Sequence, residues 1–187
     1  MADGAGRWRR CRFGAQLEVV GPVEREERAE PQVTIALALT KGERFDWATQ
    51  KLTELGVDRI LPVVAARSVV RWDEERAAQH VDRLRRISRQ AAMQSRRVWL
   101  PVVGELHRFE DAAAMPDAAL AEPGGAPLTL RTPTVLVGPE GGWDDGELGA
   151  RLSRVGLSPH ILRAETAAVT AAALLTALRA GLVTPTA

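Results

Sequence analysis

A single cysteine, Cys11, in 187 residues excludes an intramolecular disulfide framework, and no Cys/His grouping has the spacing of a zinc site. No apolar run reaches the roughly 18 residues of a membrane-crossing helix, and the opening stretch "MADGAGRWRRCRFGAQ" lacks the apolar middle of a secretory signal. A cytoplasmic protein without metal or membrane partner is the expectation. Net charge is nearly absent as well, at +1, so the whole-chain field does not point to a partner. Lysine is scarce: Lys41 and Lys51 are the two lysines among 25 basic residues. The preference for arginine and the abundance of alanine reflect a GC-rich coding bias rather than a function.

What the chain does have is enough apolar sequence, 45%, for one sizeable core but little room for two. Its charge is unevenly spread. From Arg67 to Arg97 there are nine arginines against Asp73, Glu74, Glu75 and Asp82, whereas from Glu110 onward nine acidic residues face five arginines. A basic middle section fits a polyanion footprint, and charge alone fits a solvated helix face equally well.

Arg9 to Val20 and Gln32 to Leu39 are rich in strand formers, separated by the charged turn "GPVEREERAEP". Two strands do not make a domain, so the front of the chain reads as an appendage. From Val33 onward strands and helices alternate. "VTIALALT" is a buried strand; "RFDWATQKLTELG" sets Phe45, Trp47 or Ala48, Leu52 and Leu55 at helical spacing with Gly56 as C-cap. "DRILPVVA" is a strand, about Asp73 to Ser95 a long helix, "VWLPVV" a strand, and Phe109 to Ala114 a short helix. "PGGAP" is a turn, "PTVLVG" a strand, "DDGELGARLSRVG" a helix, "HILR" a strand, and Glu165 to Arg179 the last helix, stopped by Gly181. Such alternation predicts an α/β fold, a mainly parallel sheet with helices on both faces.

Two stretches carry chemistry. "VLVGPEGGW" runs a strand into Gly138, Pro139, Glu140, Gly141 and Gly142, placed where open α/β sheets bind ligands. It has neither the GxxxxGK[ST] of a phosphate loop nor GxGxxG, and Glu140 would repel a phosphate. A neutral or cationic ligand fits better; read alone, the stretch fits a tight turn as well. "ILRAETAAVTAAALL" concentrates Arg163, Glu165 and Thr166 at a strand-to-helix junction, where backbone groups are free. A capped packing helix explains Thr166 but leaves Arg163 without a role.

Together, "GPEGGW" and "LSPHILRAETAA", with "LTKGERFDWATQKLTELGVDRILPVVAARSVV" and "AAMQSRRVWLPVV" upstream, resemble the bacterial small-subunit ribosomal RNA uracil-N3 methyltransferases, the RsmE family of the SPOUT class. The resemblance runs from Val33 to Ala180. It implies a C-terminal trefoil knot, S-adenosylmethionine as methyl donor, a homodimer, and methylation of N3 of a specific uridine in 16S ribosomal RNA of the small subunit. It also implies a domain division, with 1–31 as the later strands of an RNA-binding PUA-like β-barrel and 32–187 as the methyltransferase domain. The resemblance thus implies a shortened barrel and, with it, an expected RNA affinity reduced more than donor binding. Ser158 and His160 stand where the family usually has Gly and Arg, and Gln90 where it has Glu.

On this resemblance Leu136, Gly138, Pro139, Gly141 and Gly142 wrap the donor on one side, with Ile161, Leu162, Thr166, Ala167 and Ala168 on the other. Arg163 is the candidate for stabilising negative charge on uracil or binding phosphate. Glu140 and Glu165 are candidates for meeting the donor's positive groups or assisting N3 deprotonation, and Glu165 equally fits a helix-start carboxylate. Lys41, Lys51, Arg67, Gln94, Ser95 and Arg97 are the candidate RNA contacts. Trp72 and Trp99 could stack on RNA, against the commoner use of an indole in a core or interface. Two other functions stay open on the residues: a non-catalytic RNA-binding or assembly protein, and a knotted methyltransferase acting on transfer RNA.

Overall fold

The computed structural model describes residues 1–184, apart from the side chain of Glu74. Four short strands come first: β1 (Arg7–Trp8), β2 (Cys11–Phe13), β3 (Leu17–Val19) and β4 (Glu24–Arg25). They pair as two antiparallel ribbons, β1 with β4 and β2 with β3. Trp99 fastens this region to the rest. Its Nε1 donates to Glu26 O at 3.0 Å, the Arg28 guanidinium lies 4.4 Å over its ring, and Gly6 (φ +88°) lies so close that a Cβ would sit 2.2 Å from the indole.

The main body follows as β5 (Thr34–Ala38), α1 (Arg44–Leu55), β6 (Arg59–Val64), α2 (Glu74–Gln94), β7 (Val102–Val103), β8 (His107–Arg108) and α3 (Phe109–Ala113). Then come β9 (Ala118–Pro127), β10 (Thr134–Val137), α4 (Asp145–Leu148), β11 (Ser153–Gly156) and α5 (Ala164–Arg179). The sheet runs β11-β9-β10-β5-β6-β7 with β8 also on β6, and every pairing is parallel. The expected α/β class is what the chain adopts.

The two-residue period of a strand decides the layers. Ile35, Leu37, Ile60, Val135 and Val137 point to a core shared with Phe45, Ala48 and Leu52 of α1, Val81 and Leu84 of α2, and Ala168, Ala171, Ala172 and Leu175 of α5. Ala36, Ala38, Leu61, Val63 and Leu136 point the other way, onto Phe109 and Ala112 of α3 and onto Trp143. Helices therefore cover both faces. In α1 the inward position falls to Ala48, fully buried, while Trp47 is exposed. Gly56, at φ 98°, caps the helix and returns its N–H to Leu52 O and Thr53 O.

Three local expectations are corrected. "DDGELGARLSRVG" is not one helix: α4 stops at Leu148, and Ser153–Gly156 forms the edge strand β11 on β9. Residues 160–163 form no strand but a loop into α5, and "PGGAP" belongs to β9 at its register shift. Residues 160–163 find no partner strand; for the other two the cause is close main-chain approach, which no periodicity reveals. A Cβ on Gly125 would meet the Val155 carbonyl carbon at 2.6 Å, and one on Gly156 would meet Gly125 O at 2.7 Å, so the two segments come together because neither carries a side chain there.

Parallel strands put all their carboxyl ends on one edge of the sheet. α1, which returns the chain from β5 to the adjacent β6, runs antiparallel to them, so its amino end lies at that same edge. α5 lies alongside in the same direction: Glu165 near its start faces Arg44, while Arg179 at its end binds Gly56 O.

Candidate functional site

Chain order reverses between β10 and β5: β6 and β7 follow outward on one side, β10, β9 and β11 lie on the other. Such a switch leaves a crevice beyond the carboxyl ends of the two strands. The glycine loop after β10 lies there. Gly142 has φ +70° and donates to Pro139 O at 2.9 Å. Gly138 lies under the Trp143 indole, where a Cβ would approach to 3.0 Å. Leu136 and Pro139 are buried, so this strand and loop present main chain to the crevice.

The loop is held from behind. Buried Trp143 donates Nε1–H to Ala121 O at 3.0 Å and packs on Phe109 at 5.5 Å between ring centroids. Buried Glu147 accepts from Ala66 N at 2.7 Å through Oε1 and from Asp144 N at 2.8 Å through Oε2, tying the start of α4 to the loop after β6. Arg67 Nη1 donates to Gly141 O at 3.3 Å.

Charge gathers at the mouth. Arg44 Nη1 donates to Glu140 Oε1 at 2.9 Å, and its Nε lies 3.7 Å from Glu165 Oε1. The other Glu165 oxygen, Oε2, is buried without a hydrogen-bond partner. A buried carboxylate oxygen left unpaired costs free energy, and it suits a ligand carrying positive charge or a hydrogen-bond donor. Arg163 occupies the N-cap of α5 with an exposed side chain that takes no part in capping. Ile161 is 89% exposed, Leu162 and Ala167 are part-buried and Thr166 is exposed. Ala168 is fully buried in the core and supports this wall from beneath.

The six residues expected on the RNA side divide between the two edges. Lys41 follows β5 and Arg67 follows β6, at the same edge as the glycine loop. Lys51 lies in the second half of α1 and binds Glu54 at 2.8 Å. Gln94 and Ser95 end α2, and Ser95 Oγ donates to Ala91 O. Arg97 Nη1 donates to Thr53 O at 3.0 Å and Val57 O at 2.9 Å, and burial pulls its pKa below the ordinary arginine value. Within one chain, the structure does not bring these four to the crevice.

Three residues of the site escaped the motif reading. Arg44 is 96 positions from Glu140, and nothing local announces the pair. Glu147 had a local signal: Asp144 and Glu147 form a capping box around α4. Trp143 closes the motif, but its role as the floor under Gly138 needs the tertiary contact. Among the described residues, no group of three or more His, Cys, Asp or Glu could hold a metal ion, and no helix is long and apolar enough to cross a membrane.

Comparison with known proteins gives this geometry a family. The RNA methyltransferase domain family model matches residues 27–176. Ribosomal RNA small subunit methyltransferase E of Mycobacterium bovis is 35% identical over 91% of this chain and 74% of its own length. The Bacillus subtilis protein of the same description is 33% identical over 76% of this chain, and the match spans 64% of that relative. The crystal structure of ribosomal RNA small subunit methyltransferase E from Neisseria gonorrhoeae, bound to S-adenosyl methionine, superposes with a TM-score of 0.79 at 31% identity, covering 95% of this chain and 81% of that one. The chain belongs to the RNA methyltransferase domain family, in its ribosomal RNA small subunit methyltransferase E branch.

Proposed function

We propose that this protein transfers a methyl group from S-adenosylmethionine to N3 of a specific uridine in 16S ribosomal RNA, as a cytoplasmic homodimer. The observation that carries the reading is the crevice itself: exposed main chain, a glycine at positive φ, no phosphate-binding lysine in the loop, and an unpaired buried oxygen on Glu165. These features fit a nucleoside bearing a cation better than a polyphosphate. S-adenosylmethionine, when bound, supplies an activated methyl group on a sulfonium.

The chain's own residues have the remaining work. Main chain at Leu136, Gly138, Pro139, Gly141 and Gly142 holds the donor on one side, and Ile161, Leu162, Thr166 and Ala167 hold it on the other, with Ala168 as support. Glu140 and Glu165 set the negative potential of the mouth, and Glu165 is the better placed to accept the uracil N3 proton because one oxygen is already free. Arg163, exposed and uncommitted to its helix, stabilises the negative charge that develops on the uracil. Lys41 and Arg67 hold RNA phosphate at this edge, and Lys51, Gln94, Ser95 and Arg97 would serve RNA only at the opposite edge. Ile161, Leu174 and Leu182 are exposed apolar side chains on and beside α5, surface that a second copy would cover in the homodimer. The C-terminal knot and the reading of 1–31 as part of an RNA-binding barrel belong to the same proposal.

Calorimetry with S-adenosylmethionine, followed by methylation of small-subunit RNA, tests the reading on the wild type and on Arg163→Ala. The wild type binds donor. Arg163→Ala keeps donor affinity but loses about 100-fold in methyl transfer, the scale of one preorganised electrostatic group. Absence of donor binding by the wild type overturns the proposal.

A further inference from the structure

A cavity of about 380 Å³ lies between the loop after β5, the loop after β6 and the first half of α2. Its size is within the range of small-ligand sites, about 300–1,000 Å³. Three kinds of group meet in it. The Trp72 indole and His80 imidazole are stacked, 4.4 Å between centroids and 13° from parallel, and Phe45 meets Trp72 edge-on at 6.1 Å. Arg71 and Arg76 line it, Arg76 paired to Asp73, and so do Glu43, Asp46 and Arg83, the last two paired to each other. Thr40 lines it as well, 4% exposed, with a hydroxyl that has no hydrogen-bond partner.

Each feature asks for the same ligand. Two planar rings already in register, braced by a third, accept another flat ring at stacking distance. A hydroxyl both donates and accepts, and an unpaired buried one is satisfied by the edge of a base or by a ribose hydroxyl. Arginines in the lining suit a phosphodiester. The cavity opens at the sheet edge that carries the glycine loop: Phe45 follows Arg44, which binds Glu140. We propose that this cavity is a nucleotide subsite for the substrate RNA, taking a base that flanks the methylated one by stacking on the Trp72–His80 pair, with Thr40 reading its polar edge and Arg71 and Arg76 holding its phosphate. The assignment rests on the RNA-methylating function proposed above, and the experiment separates the two.

The probe is a fluorescein-labelled single-stranded hexauridylate, titrated by anisotropy at several salt concentrations against the wild type, the double variant Arg71→Ala/Arg76→Ala, and Thr40→Val. Donor affinity is measured on the first two and thermal midpoint on all three. The double variant is expected to bind RNA about tenfold more weakly, with a log–log salt slope shallower by about 0.7, the value for one phosphate left without its cations on a single strand. Its donor affinity stays at the wild-type value. Thr40→Val gives the sharper result: RNA binding weakens severalfold while the thermal midpoint holds or rises, because an unpaired buried hydroxyl has been removed. A purely structural threonine would not separate the two readouts in that direction. Unchanged RNA affinity and salt slope in both variants overturns the subsite, as does failure of the wild type to bind the hexamer. RNA binding that follows these expectations without any donor binding supports the subsite and overturns the methyl-transfer reading alone.

Discussion

Two arginine–carboxylate clusters lie at opposite ends of the α1–α5 pair, and they are built differently. At the amino edge of the sheet, Asp58 accepts from Val33 N at 2.8 Å and from Arg179, which also donates to Pro31 O and Gly56 O. Arg97 completes this group through two carbonyls. All three side chains are at most 14% exposed. At the carboxyl edge, Arg44 is 41% exposed, shares itself between Glu140 and Glu165, and leaves one Glu165 oxygen buried and unpaired. A buried charge group with its hydrogen bonds made holds elements together; one left incomplete waits for a ligand.

The largest effect expected from breaking this contrast is at Asp58. Asp58→Ala leaves two enclosed arginines without their anion and should lower unfolding free energy by about 3–5 kcal/mol, read as a shifted midpoint in urea. A loss under about 1 kcal/mol would place the cluster among ordinary surface pairs.

Glu165→Gln should do the reverse. Methyl transfer falls by about 100-fold, equivalent to roughly 2.7 kcal/mol of barrier, while the urea midpoint stays put, because the carboxylate's only ion-pair partner among the described residues is a half-exposed arginine. If stability drops and activity per folded molecule survives, the two clusters are alike and the contrast fails.

Asp3 sharpens the comparison from outside, with the smallest effect. Its carboxylate is as well served as that of Asp58, accepting from the N–H groups of Ala5 and Arg7, yet it is not buried. Those backbone donors, with help from the Arg7 side chain, hold its pKa below the usual carboxylate value. A folded-state pKa depressed in this way contributes stability that is complete above the unfolded value and disappears as pH falls through the folded one. Hydrogen exchange at Ala5 and Arg7 should therefore accelerate, relative to the core, as pH drops below about 4, and Asp3→Asn should abolish that dependence. Exchange that stays independent of pH there would show that the hydrogen bonds do not order this end.

Local chemistry was legible where a single segment decides it. Gly56 ended α1 as its position required, the long helix α2 fell within the expected span, and the glycine loop fell at the end of a buried strand. It failed where two segments decide. Ser153–Gly156 looks like the continuation of a helix until β9 comes alongside, and residues 160–163 look like a strand until no partner strand takes them up. The RNA-side candidates were chosen from motif stretches, and a motif carries no record of which edge of the sheet its residues reach. Arg97 therefore stood beside Arg67 in the expectation but at the other edge in the fold.

By itself the sequence determined the α/β class, the end of α1 at Gly56 and the glycine loop at the end of a buried strand, because each depends on periodicity or on residue chemistry within a few positions. Only the tertiary structure decided which carboxylate is complete and which is not. Glu140 and Glu165 become one site with Arg44 through contacts across 96 and 121 positions, and the packing that leaves Glu165 Oε2 buried and unpaired joins elements that no local pattern connects.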